Sequence, residues 1–450
     1  MVRVKTTAFL YAVALLLLPF TYAIKGMLVL VGIPWVDPSL ILGFIIFALT
    51  RAPIRDKRAL WVVCWAFFSA FVGSFFLGVS AARGKSALYI EYVEPIRLSL
   101  TVIWFWVSIE FVTKKRDFVV RWLAISALVQ LLLATYLYMS LYDLVPVPLP
   151  VELYLNFYKG RQVVWFGDTA VYRMAGTFIE SPPFGLFMFS CLVIFGLWLA
   201  TPASFSNKNR RRVLLGAGVS FVGAVASLSD QIFLAVIIFV LTWYFVGRKK
   251  FAMKSRLYRI GEPILALGLL LACGYTMSRV SVKWDEAASA KSTATDVEGQ
   301  PGIERAFHLR YGLERFEEVP LAIWTGIGPG RYGDYASRTG LFPSSVTIQN
   351  MPLTWLVEYG LFGTGFIVVW LWNIERSGHK AYGKLAVGAF AGLMIACISQ
   401  GTWYGGEAWF LALAFLYASG RSEDSVGLLP HERSDGFRPG IAGGLTETFG

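Results

Sequence analysis

Charge is scarce in this sequence: 16% of the residues are charged against 56% hydrophobic, too apolar a balance for soluble domains of a 450-residue chain. Histidine is scarcer still. His308, His379 and His431 are the whole complement, and none stands at a metal-ligand spacing, so no protein metal centre and no cofactor are expected. The four cysteines, Cys64, Cys191, Cys273 and Cys397, all fall inside apolar stretches, where they read as small packing residues, not as a disulfide framework or a zinc site. Acidic residues are too few to balance the basic ones, and the formal net charge is +12. A small-residue cleavage site is also missing after the apolar run that follows Met1–Lys5, which favours a retained first helix over a signal peptide.

What fills the sequence instead is a succession of apolar runs. Thr7–Ala23, Trp61–Ala82, Phe118–Met139 and Ala175–Ala200 approach or exceed the roughly 18–20 residues that cross a bilayer. The mean hydropathy of +0.58 reflects their repetition. The basic residues gather in five short clusters: Arg51/Arg55/Lys57/Arg58, Lys114–Arg116, Lys208/Arg210–Arg212, Arg248–Arg259 and Arg376/Lys380/Lys384. Two membrane crossings fit between successive clusters, which is the positive-inside pattern and explains the basicity without nucleic acid. It predicts an all-α polytopic membrane protein with both termini cytoplasmic. About twelve spans result, near 7–24, 37–50, 59–82, 96–113, 118–141, 175–200, 213–229, 230–247, 261–279, 350–373, 385–402 and 405–420.

This layout divides the chain into a membrane domain, 1–420, and a polar, Gly-rich tail, 421–450, expected to be disordered and cytoplasmic. Two segments of size face outward: 142–173, rich in Pro, Tyr and Trp, and 280–349, the largest non-membrane segment. The second shows helical periodicity at Ile303, Phe307 and Tyr311, ended by Pro320 and the run Gly326-Ile-Gly-Pro-Gly-Arg-Tyr-Gly333.

Several residues there suggest chemistry. Gly328 to Gly333 matches GxGxxG formally, but no βαβ unit surrounds it, so a nucleotide fold is rejected. Gly328 and Gly330 permit main-chain N–H groups to converge on an anion, or simply a turn between a helix and the next span. Arg173, Arg305, Arg310, Arg315, Arg331 and Arg338 lie on the face where positive-inside bias disfavours them. A guanidinium fork suits a phosphate or diphosphate, and each arginine alone also suits a solvated or headgroup contact. Ionisable groups at membrane depth are Glu180, Asp230 and Glu358, read either as functional groups or as buried partners that fix packing, and, less clearly, Arg121, which sits near a span end where its side chain can simply snorkel.

Three segments together resemble the O-antigen ligase and polymerase superfamily of bacterial membrane glycosyltransferases. They are Tyr172-Arg-Met-Ala-Gly-Thr-Phe178 with Pro182-Pro183, Arg305 with Pro320 and Gly326–Gly330, and Gln349-Asn350 leading to Leu356–Gly363. The resemblance implies a GT-C-like fold in the bacterial inner membrane and a donor glycan on polyprenyl diphosphate at the periplasmic face. It implies transfer to a glycan or lipid-linked acceptor without a metal, with membrane lipids as partners and a chain-length regulator and a flippase as further candidates. Arg173 and Arg305 would neutralise the departing diphosphate. Gln349, Glu180 and Glu358 are further catalytic candidates, and Arg310, Gly328, Gly330, Arg331, Asn350, Asp230 and His308 candidate substrate contacts. Two departures stand out. Gln349 occupies the position where ligases of the family carry a histidine base, and an amide takes no proton near neutral pH. Ser229-Asp230 stands where the family has an arginine after the serine. Either Glu180, Asp230, Glu358 or His308 is the base, or the chain is of polymerase type, which is the favoured reading. A flippase for lipid-linked oligosaccharide and a non-catalytic scaffold are the rival readings.

Overall fold

The computed structural model describes residues 2–21, 24, 37–54, 56–77, 87–146, 163–166, 169–178, 181–200, 207–247, 321–332, 351–398 and 407–426. The ninth expected span, the 303–318 helix, Glu180, Arg305, His308, Arg310, Gln349 and Asn350 lie outside these residues. The described chain is almost entirely helical: α1 Val2–Leu17, α2 Pro38–Thr50, α3 Lys57–Leu77, α4 Ala87–Leu141, α5 Ser181–Leu199, α6 Asn207–Ala226, α7 Asp230–Thr242, the short α8 Ala322–Thr325, α9 Met351–Tyr382, α10 Lys384–Cys397 and α11 Glu407–Val426. Among the described residues four segments are long and apolar enough to cross a membrane: Lys57–Phe75, Tyr92–Leu141, Ser181–Leu199 and Met351–Tyr382. Shorter apolar helices lie at Lys5–Phe20, Pro38–Thr50, Asp230–Val246, Lys384–Cys397 and Glu407–Gly420.

α5 and the Ala408–Ser419 part of α11 are buried nearly all round, which places them at the centre of the bundle. They pack on each other, and α4, α6, α9 and α10 surround them. Pro182 and Pro183 sit in the first turn of α5, where a missing N–H breaks no intrahelical bond. They open that helix, so it begins at Ser181 and not near 175 as the apolar run suggests; Gly176, at φ 56°, turns the chain before it. Segment 142–173 contains an antiparallel hairpin, β1 Val163–Phe166 with β2 Thr169–Tyr172, in the register Phe166↔Thr169 to Val163↔Tyr172. β-Branched and aromatic residues on both sides of Gly167-Asp168 are its sequence signal.

The fourth and fifth expected spans are the two arms of α4, separated only at Lys115, whose φ of −142° and ψ of 45° are not helical. Arg116 stabilises that break. Its guanidinium donates to the Tyr382 hydroxyl of α9 and, at 3.3 Å, to Ser419 Oγ of α11, and lies 4.4 Å from the Phe415 ring centroid. Asn209 of α6 donates to Asp117 at 3.3 Å, and Asn373 of α9 donates to Asp56, just before α3, at 3.0 Å. These cross-links gather the basic clusters at 57–58, 114–116, 208–212 and 376–384 at one end of the bundle. α11 runs on to Val426, into the segment read as tail.

Candidate functional site

The end of the bundle opposite the basic clusters is organised around a broken helix. α9 is interrupted at Gly360, where φ is 68° and ψ is −174°, a conformation essentially reserved for glycine. A break in a helix frees carbonyls, and in an apolar bundle each must find another donor. Here they do. The Val357 carbonyl accepts from the Ile327 N–H at 3.0 Å, and the Glu358 carbonyl accepts from the Gly328 N–H at 3.0 Å and from Ser69 Oγ of α3 at 2.7 Å. The Tyr359 carbonyl accepts from the Trp65 indole N–H, also on α3, at 2.8 Å.

The glycine run therefore has a structural task that its spacing alone does not reveal. Gly326 and Gly360 meet backbone to backbone: a Cβ on Gly326 would stand 2.2 Å from the Glu358 carbonyl oxygen, and one on Gly360 would stand 2.5 Å from the Gly326 nitrogen. Gly326, Gly328 and Gly330 all have positive φ, at 75°, 98° and 73°. The N–H of Gly326 is held by the Ala322 carbonyl, that of Arg331 by the Gly328 carbonyl, and that of Gly330 donates to the Glu358 carboxylate. Every main-chain N–H from Gly326 to Arg331 is thus engaged by the protein's own oxygens. The side chain this loop holds is the Glu358 carboxyl.

Around that loop lies a charged cluster inside apolar helices. Glu358 is only 6% exposed, and its Oε2 has no hydrogen-bond partner among the described residues. Gly330 packs against Glu94 of α4, where a Cβ would meet Glu94 Cγ at 2.6 Å. Glu94 stands 3.8 Å from the Arg97 guanidinium, and Arg97 Nε donates to Asp37 at 3.0 Å just before α2. Arg331, 3% exposed, turns inward and donates through Nη1 to Ser74 Oγ of α3 at 3.2 Å. A charge this far from water is costly unless matched, and Arg97 is matched by Asp37 and Glu94.

The remaining described candidates form a second group at the same end. The N–H next to Arg173, that of Met174, donates to the Ala226 carbonyl at the end of α6, beside the Ser227–Ser229 turn that leads to Asp230. Thr177 donates to the Pro19 carbonyl beyond α1 and lies 3.0 Å from Gln130 Oε1 on α4. Asp230 occupies the first turn of α7, where the helix dipole favours an anion. The sequence thus picked out Glu358, Gly328, Gly330 and Arg331, which the structure brings together, and Arg173 and Asp230, which sit in this separate group. It missed Asp37, Ser69, Ser74, Glu94 and Arg97. Glu94-Pro95-Ile-Arg97 at the start of a span was the available signal, but its partner Asp37 is remote in sequence. Among the described residues no group of histidine, cysteine or acidic side chains is arranged to hold a metal. No family model matches this chain, and no curated protein matches it.

Proposed function

We propose that this chain is a twelve-span, GT-C-like membrane glycosyltransferase of the bacterial inner membrane, with both termini cytoplasmic. It transfers or polymerises polyprenyl-diphosphate-linked oligosaccharide at the periplasmic face during surface-polysaccharide synthesis, as a polymerase more than as a ligase. The observation that carries the reading is the charge split of the bundle. Four basic clusters gather at one end, yet Arg97, Arg173 and Arg331 stand at the other, against positive-inside bias. A diphosphate leaving group needs fixed positive charge on that face. In this account Arg173 and Arg305 contact the diphosphate, while the inward-turned Arg331 and the Glu358-bound glycine loop hold the outer segment in place. The diphosphate departs with the electron pair of its glycosidic bond, and the acceptor hydroxyl forms the new bond and gives up its proton to water at that face.

A lipid-linked oligosaccharide flippase is the second reading, and the unpartnered Glu358 Oε2 favours it, since buried carboxyls carry protons in transporters. Arg173→Ala and Arg305→Ala separate the two readings in cells when polymer and undecorated donor are measured together. The glycosyltransferase reading expects polymer to vanish at unchanged protein level, with the donor accumulating on the outer leaflet. Accumulation on the inner leaflet supports the flippase, and full polymer in both variants removes the phosphate-clamp role.

A further inference from the structure

The basic end of the bundle holds a shallow groove that the proposed reaction does not use. Asp117, Val120, Arg121 and Ala124 of α4 form one wall, Asn209, Arg212 and Val213 of α6 the other, and Trp198 of α5 the floor. Asp117 is already committed, since one carboxylate oxygen accepts from the Trp198 indole at 3.1 Å and the other from Asn209. The two guanidiniums are not. Among the described residues neither Arg121 nor Arg212 pairs with a carboxylate, and Arg121 lies over the Phe118 and Trp122 rings, with centroids 6.0 and 5.7 Å away. α6 also begins with Lys208, Arg210, Arg211 and Arg212 and has no acid in its first turn. Cations at a helix N-terminus oppose the helix dipole, a conflict that a bound anion relieves.

An exposed apolar stripe runs away from this groove on α4, where Ile125, Leu128 and Leu132 follow Arg121 on one face. The stripe is about 16 Å long at about 1.5 Å per helical residue, close to half of a roughly 30 Å hydrocarbon core. A free phosphate needs no such stripe, and an acyl chain uses it.

We propose that Arg121 and Arg212 bind the headgroup phosphate of an anionic phospholipid in the leaflet at the basic end, with an acyl chain along the α4 stripe. The test uses the full-length protein in detergent, titrated with phosphatidylglycerol or phosphatidylcholine while thermal stability and lipid retention in native mass spectra are followed. Phosphatidylglycerol should stabilise and be retained, and phosphatidylcholine should not. Both arginines are exposed, so Arg121→Ala/Arg212→Ala should fold while weakening retention by about thirtyfold, from roughly 1 kcal/mol per basic residue near a charged membrane surface. Lys57→Ala/Arg58→Ala removes the same charge elsewhere at that end and should leave retention unchanged. Equal response of the wild type to both lipids, or equal loss in both double variants, overturns the proposal. Stabilisation by millimolar inorganic phosphate alone shows a free-anion site and overturns its lipid part.

Discussion

Replacing Gly326 by alanine tests whether the glycine run is there for backbone contact. The new Cβ would meet the Glu358 carbonyl oxygen at 2.2 Å and its carbon at 2.4 Å, and neither can rotate away as a side-chain tip can. Relief of that overlap requires the two backbones to separate by about 1 Å, judged against ordinary contact distances. The bonds from Ile327 N–H to Val357 and from Gly328 N–H to Glu358, both 3.0 Å, break at that separation. Each contributes about 1 kcal/mol, and φ 75° with ψ 176° adds about 1–3 kcal/mol of strain for any residue but glycine. The expected loss is about 3–5 kcal/mol. Two companion variants divide it. Gly383 has φ 59° but nothing near its Cβ position, so Gly383→Ala should cost the strain alone, about 1–3 kcal/mol. Gly365 is helical with open space around it, and Gly365→Ala should be neutral or stabilising by up to about 1 kcal/mol. Equilibrium unfolding in mixed micelles should rank the variants Gly365, Gly383, Gly326 in order of increasing damage. A Gly326→Ala protein as stable as Gly365→Ala would refute the docking of the loop on the α9 break.

Arg97→Ala leaves Asp37 and Glu94 together without their shared cation, and should cost about 1.5–3 kcal/mol in the same assay; an unchanged unfolding curve would show that the pair is not formed. Ser69→Ala and Trp65→Phe each remove one donor to the freed carbonyls of α9 and should each cost about 1 kcal/mol. The Glu358 carbonyl keeps its Gly328 donor when Ser69 is changed, so Trp65→Phe should be the more harmful of the two, and the reverse order would contradict the assignment of acceptors.

How far the sequence foretold this arrangement depended on the range of the interactions involved. The start of α3 was legible because basic residues abut an apolar run there, and the α6–α7 turn because Leu228-Ser-Asp230 interrupts one, whereas α6 begins at Asn207 and takes in the basic cluster ahead of the apolar run expected from 213. Glu358 was visible as an acid within an apolar run, and the glycine run as a chain segment needing unusual backbone angles. Their contact was not. Nothing in the spacing of Gly326 and Gly360 says that their backbones touch, because docking of a loop on a broken helix is decided by tertiary packing. Nothing in the sequence singled out Arg97, and its role follows only from Asp37, which α2 delivers to it. The Lys115 break was foreseen as a loop between spans. In the structure one residue suffices, because Arg116 binds α9 and α11 across it.

The most direct test of the proposed activity supplies purified full-length protein in detergent with oligosaccharide on polyprenyl diphosphate and separates the products by length. The account predicts new glycosidic bonds, a ladder of chain lengths and release of polyprenyl diphosphate. Unchanged donor, with the same preparation moving that donor across a reconstituted bilayer, would contradict it and establish the flippase.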